Sequence, residues 1–203
     1  MLKIKVWLNL SIALPLIFLF GCAEHGSVDQ GRVVAYDKDK RTMVMIRDKK
    51  MDPQNPDYTY LPPLTYVLPT DPLDTGPEPK AGGRMKLDAE KNQVVIFDPA
   101  AQNLKAIDVK FTEKKENVDR LNPLVYDESK KAAKKFPVVD KEKKTVTLYS
   151  GRQNLFVTFI VPEEFIELPE ATWDSGDEVR VYFKEAGKAL KFMNISKTDI
   201  FRG

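Results

Sequence analysis

Gly31-Arg32-Val33-Val34-Ala35-Tyr36, Asp37-Lys38-Asp39-Lys40-Arg41 and Thr42-Met43-Val44-Met45-Ile46 follow one another without a break. Two runs of β-branched and apolar residues flank five charged residues that no core would accept, which is the pattern of a β-hairpin. The turn text returns later. Asp140-Lys141-Glu142-Lys143-Lys144-Thr145-Val146 repeats the pattern of Asp37 to Met43 without a gap at an offset of 103. Thr65 to Asp71 then finds a counterpart in Thr158 to Glu164 at an offset of 93, and Phe97 to Val109 in Phe183 to Ile195 at 86. Three collinear matches predict an internal duplication with two insertions in the first copy. A rival register aligns Asp88-Ala89-Glu90-Lys91 with Asp140 to Lys143 and Gln102-Asn103-Leu104 with Gln153-Asn154-Leu155, but it leaves the third match unexplained.

The second copy is the plainer text. A hairpin leads to a strand over 154–161, a helical turn opened by Pro162, and strands over 178–184 and 189–195. Val179, Val181 and Phe183 alternate with Arg180, Tyr182 and Lys184, as on a half-buried strand. The alternation slips at Leu190-Lys191, where a β-bulge is expected, with Met193 and Ile195 inward beyond it and the same break at Leu104-Lys105. The fold expected is mostly β: two tandem five-stranded small β-barrels, OB-like or SH3-like, over 31–113 and 135–203. A charged linker, 114–134, joins them, with a short helix over Asp127 to Lys135. The lysines of that helix would either stay solvated or touch anionic lipid or cell-wall polymer.

This strand order resembles the small OB-like barrels of periplasmic copper chaperones. That family places a histidine, a tryptophan and methionines on its second and third strands. The matching stretch here, Thr145 to Val161, has none of them, so the resemblance implies a fold and no copper site.

The N-terminus carries Lys3 and Lys5, then an apolar run from Val6 to Phe20 broken only by Asn9 and Ser11. It is too short for a transmembrane helix and reads as a signal peptide, residues 1–21. Its end, Leu19-Phe20-Gly21-Cys22, resembles the lipobox of bacterial lipoproteins, although Phe20 stands where the family usually has Ala or Ser. The resemblance implies cleavage between Gly21 and Cys22, diacylglycerol on the Cys22 thiol, and a tether over 22–30. With Ala23 after the cysteine it implies the periplasmic face of the outer membrane in a cell with two membranes. Acyl chains contribute about 0.8 kcal/mol per buried methylene, enough to hold a protein on a membrane without a spanning helix.

Removing Lys3 and Lys5 leaves 30 basic against 30 acidic side chains, a balance that points to no electrostatic footprint for nucleic acid. Cys22 is the only cysteine and His25 the only histidine. Catalysis through Ser-His-Asp or Cys-His, common zinc sites and covalent haem are therefore excluded, and no phosphate-binding or Ca²⁺ loop is present; no metal or cofactor is expected.

Two stretches remain as candidates. Met51 to Pro79 holds eight of the fourteen prolines together with Tyr58, Tyr60 and Tyr66. Tyr58, Tyr60, Pro62, Pro63 and Tyr66 form either a stiff surface for a protein partner or a loop that covers its own barrel. Glu163, Glu164, Glu167, Glu170, Asp174 and Asp177 surround Trp173, which suits a solvated acidic connection with a tryptophan plugging a barrel end. A glycosidase pair would need two of these acids facing one cleft. The function expected is that of a membrane-anchored, non-catalytic accessory or scaffolding lipoprotein that binds another envelope protein. A lipoprotein that binds a small ligand or polysaccharide is the alternative, and an acid-dependent hydrolase a more distant one.

Overall fold

The computed structural model describes residues 25–52 and 55–198; the expected signal peptide, Gly21 and Cys22 lie outside them. The strands are β1 (Ser27–Asp37), β2 (Thr42–Arg47), β3 (Leu64–Val67), β4 (Arg84–Asp88), β5 (Gln93–Asp98), β6 (Asn103–Asp108), β7 (Lys110–Lys115), β8 (Tyr126–Asp127), β9 (Ala132–Ala133), β10 (Val138–Asp140), β11 (Thr145–Ser150), β12 (Leu155–Ile160), β13 (Glu178–Glu185) and β14 (Lys188–Asn194). One helical turn, α1 (Glu163–Ile166), follows Pro162.

β1, β13, β14, β3 and β2, in that order, form a closed barrel. Its core is Val33, Met43, Met45, Tyr66, Leu68, Val179, Val181, Ala189 and Phe192. The strands come from the two ends of the chain, so the barrel draws on both expected spans, 31–113 and 135–203, instead of lying within one. The intervening chain forms two open sheets, β4-β5-β6 and β10-β11-β12-β7. They share one core, in which Leu87, Val94 and Ile96 meet Leu148, Val157, Phe159 and the fully buried Trp173. A second closed barrel is not what these strands make.

The apparent duplication has a local cause. Six hairpins, opening at Asp37, Asp88, Asp98, Asp127, Asp140 and Ser150, use the same four-residue loop, each with a left-handed residue four positions on: Arg41, Asn92, Gln102, Lys131, Lys144 and Asn154. In five of them the opening aspartate Oδ1 accepts the N–H three residues later. An aspartate that satisfies the turn and a residue that tolerates positive φ are what such a loop requires, so like loops acquire like sequences. The residues matched across the supposed copies sit in unlike surroundings. Phe97 is buried between the two halves, whereas Phe183 is half-buried on the barrel beside Tyr66. Leu104 is half-buried and Leu190 is 44% exposed. Tyr66 and Phe159 belong to different cores.

The β-bulge expected at Leu190 is present, since Lys191 pairs with Tyr182 and Ala189 with Phe183, leaving Leu190 unopposed. Beyond it Phe192 and Asn194 turn inward and Met193 faces out, opposite to the expected phase. The ladder at Leu104 is unbroken. The linker helix expected over Asp127 to Lys135 is instead the β8-β9 hairpin: the Asp127 carboxylate takes the Ser129 and Lys130 N–H groups, and Lys131 adopts φ of 49°, which stops a helix. Around that hairpin, Val118, Val125 and Phe136 cover Phe156 and Tyr149 on the outer face of β11 and β12.

The barrel and the two-sheet half are joined twice. Ile46, Tyr58, Met85 and Phe97 form an apolar seam between them. The chain also leaves and re-enters the barrel along adjacent paths: Asp177 N–H donates to Lys80 O, Gly82 N–H to Val33 O, Val33 N–H to Asp177 O and Arg84 N–H to Asp174 O. These bonds fall at the bulge in β1 between Val33 and Ala35, where Val33 faces the barrel core and Val34 the seam.

Candidate functional site

Beside this seam lies a cleft of about 790 Å³. Arg32 reaches it from β1, Lys50 and the stretch Asn55 to Thr59 form one rim, and Arg84 to Leu87 come from β4. Arg120, the stretch Tyr149 to Gln153, and Ser175, Gly176 and Glu178 add to the wall. Six of the lining residues are Lys or Arg and two are acidic, a local excess in a chain that is otherwise balanced.

Arg32 occupies a strand position whose side chain points away from the barrel core, but the two-sheet half closes over it, leaving it 9% exposed. Its Nη1 donates to the carbonyl oxygens of Arg84 at 3.2 Å and Met85 at 3.1 Å, and its Nε has no partner. The guanidinium lies 4.3 Å from the centroid of the Tyr58 ring, a cation–π arrangement. Burial lowers the Arg32 pKa from its ordinary value. Arg84, 7% exposed, donates Nε to Trp173 O at 3.0 Å. Burial first and the neighbouring Arg32 charge second pull it down to about 10 from 12.5. That depression corresponds to a penalty of the order of 3 kcal/mol for keeping Arg84 charged at neutral pH.

Arg152 and Glu178 face these two arginines. Glu178 accepts from Arg152 Nη2 at 2.5 Å and from Gln30 Nε2 at 2.8 Å, so both its oxygens are engaged. Burial opposes the Arg152 charge, but Tyr58 and Glu178 outweigh it and raise the pKa above the ordinary value. Tyr58 is 5% exposed, and its hydroxyl, turned toward the arginines, makes no hydrogen bond of normal geometry. Burial raises the Tyr58 pKa, so the phenol stays protonated and able to donate. The other acid, Asp57, accepts from Thr59 N–H and Oγ1 at 3.2 and 2.6 Å. Of the cleft's cations, Arg152 and Lys86 pair with the carboxylates of Glu178 and Asp88, whereas the buried Arg32 and Arg84 donate to neutral carbonyls.

The residues singled out in the sequence fall elsewhere, Tyr58 excepted. Tyr58 and Tyr66 are buried and offer no surface to a partner, because the loop folds back into the seam and Tyr66 fills the barrel. Tyr60 is half-buried beneath Arg47, Pro63 half-buried and Pro62 exposed. Of the acidic run, Glu163 pairs with Lys144 at 3.0 Å and Glu167 with Lys141 at 2.7 Å. Asp174 pairs with Lys80, and Asp177 accepts the Lys80 N–H and Asn194 Nδ2, each at 2.8 Å. These acids fasten loops and do not converge on a cleft. Trp173 plugs the two-sheet core, its ring 6.1 Å from that of Phe159. Among the described residues no three His, Cys, Asp or Glu side chains gather as metal ligands would, and no helix is long and apolar enough to cross a membrane.

Arg32, Arg84 and Glu178 escaped the sequence reading because a charged residue next to apolar ones in an alternating run reads as the solvent face of a strand. The only signal was the run Arg32-Val33-Val34, where the alternation is already broken. No curated protein and no solved structure matches this chain. A family model described as a domain of unknown function, DUF4881, matches residues 24–203, and the chain belongs to that family.

Proposed function

We propose that this chain is a lipid-anchored, non-catalytic binding protein of the bacterial cell envelope, and that the cleft beside the seam holds its ligand. Cys22 would carry the anchor, on the resemblance of Leu19 to Cys22 to a lipobox. The observation that carries the reading is the cleft itself, with walls from both halves and buried donors, Arg32 Nε and Tyr58 OH, that the fold leaves without acceptors. Scaffolding of another protein through the Pro/Tyr loop has less support, since the tyrosines that would form such a surface belong to the seam and the barrel core.

A photo-cross-linking residue placed at the exposed rim residue Thr59 tests the cleft in intact cells. A defined product is expected from Thr59, its yield falling in Arg152→Ala, and none from the same probe at Lys191 on the outer face of the barrel. Equal products from both positions would refute the cleft reading. For the anchor, Cys22→Ser should accumulate as an unprocessed precursor without acyl label. Normal cleavage and unchanged membrane retention would refute it.

A further inference from the structure

We propose that the cleft recognises an oxyanion, a phosphate or carboxylate group of its ligand, seated among Arg32, Tyr58 and Arg152. This rests on the reading of the cleft as a ligand site and names the chemistry that site selects.

Arg32 and Arg84 are both more than nine-tenths buried, lie near one another and hydrogen-bond to backbone carbonyls only. Buried charges are ordinarily paired, because removing an ion from water costs more than neutral acceptors return. The carboxylates whose charge reaches them are already engaged: Glu178, which acts on Arg32, serves Arg152 and Gln30, and Asp174, which acts on Arg84, is held by Lys80. Arg120 lines the same cleft and makes no ion pair among the described residues. The cluster has more cations than its own anions neutralise.

Hydrogen-bond capacity points the same way. Arg32 Nε and the Tyr58 hydroxyl are buried donors without acceptors, on side chains that line the same opening. Tyr58 stacks on Arg32 and so fixes the plane of its guanidinium. A planar fork with a free edge suits a phosphate or carboxylate, which takes parallel N–H donors, better than it suits a chloride ion or a neutral sugar hydroxyl. The carbonyl contacts of Arg32 tie β1 to β4, and a neutral donor would do that equally well. The excess charge and the free Nε are what call for an anion.

The test uses the full-length chain in detergent, titrated with sodium pyrophosphate and with sodium citrate. Ionic strength is held constant with sodium chloride, and the midpoint of thermal unfolding and calorimetric binding are followed. A saturable upward shift is expected with at least one of the two, pyrophosphate alone assigning phosphoryl groups and citrate alone assigning carboxylates. Arg32→Gln should abolish it. Because that variant also loses the ties to β4, Tyr58→Phe is the second probe: it keeps the ring and the fold and should weaken binding about tenfold or more. Shifts no larger than those of sodium chloride, or equal affinities for wild type and Tyr58→Phe, would overturn the proposal. Cross-linking from Thr59 that persists while neither anion binds removes this inference and leaves the cleft reading. Anion binding without a cross-linked product upholds the anion site and removes the reading that an envelope ligand occupies it in intact cells.

Discussion

Inside the closed barrel the Tyr66 hydroxyl donates to Asp29 Oδ2 at 2.5 Å, while Arg47 Nε pairs with Asp29 Oδ1 at 3.1 Å. One buried carboxylate thus joins β3 to β1 and β2. Tyr66→Phe leaves Asp29 buried with one donor fewer and should cost about 1.5–3 kcal/mol near neutral pH. Burial, and then the bond to Asp29, raise the Tyr66 pKa well above 10.0. A raised folded pKa means that this contribution is complete below pH 10 and declines as pH climbs toward the folded value. Urea unfolding of wild type and Tyr66→Phe should therefore show a gap that is constant from pH 6 to 9 and narrows by pH 11. A gap unchanged at pH 11 would contradict the assignment.

Trp173 supplies the largest side chain in the two-sheet core. Trp173→Ala should cost about 3–5 kcal/mol, the range for deleting a buried aromatic ring. The chain has two tryptophans, Trp7 and Trp173, so in a processed protein Trp173 is the sole indole fluorophore. Its emission should be blue-shifted and should move to the red in a single transition with the far-ultraviolet dichroism. Early exposure of Trp173 would show that the two halves unfold separately.

Gly82 and Gly176 touch where the chain crosses between the halves. A Cβ on Gly82 would stand 2.1 Å from Gly176 N and 2.5 Å from Asp174 O, and Gly176 has φ of +65°. Backbone at that distance cannot yield without breaking the crossover bonds of Val33, Asp177 and Arg84. Gly82→Ala should cost about 2 kcal/mol or more, whereas Gly151→Ala, whose Cβ would meet its nearest neighbour at 3.6 Å, should change the unfolding midpoint little. Equal effects would place the strain elsewhere.

The hairpin loops predict opposite responses to two changes. Lys144 has φ of 51°, a conformation a β-carbon disfavours, so Lys144→Gly should stabilise the protein by up to about 1 kcal/mol. Asp37, Asp88 and Asp140 are held below 3.8, chiefly by N–H donation within their loops and, at Asp88, first by Lys86. A depressed folded pKa means stability that is present above pH 3.8 and lost as pH falls through the folded values. An acid titration should show that loss, and Asp140→Ala should make it shallower.

Much of the secondary structure was legible because its causes are local. Asp-x-x-x loops, alternating valines at 179 and 181, Pro162 before a helical turn and the slip at Leu190 each depend on a few neighbouring residues. The same locality produced the main error: six loops built alike carry similar sequences, and their similarity imitated a duplication. Phe183, expected to fill a barrel, is half-buried, so Phe183→Ala should cost less than a full ring deletion.

The sequence by itself determined a mostly β chain, the position of some of its hairpins, the first at Asp37, and the small set of chemistries that one histidine and one cysteine permit. Only the tertiary structure decided that β1 pairs with β13 across about 150 residues, closing a barrel from the two ends of the chain around an inserted pair of sheets. Pairing at that distance depends on which faces can be buried together, and no short run of residues records it. The same closure turned Arg32 and Arg84 from outward strand positions into buried cations, because burial there comes from the other half of the molecule and not from the strand that carries them.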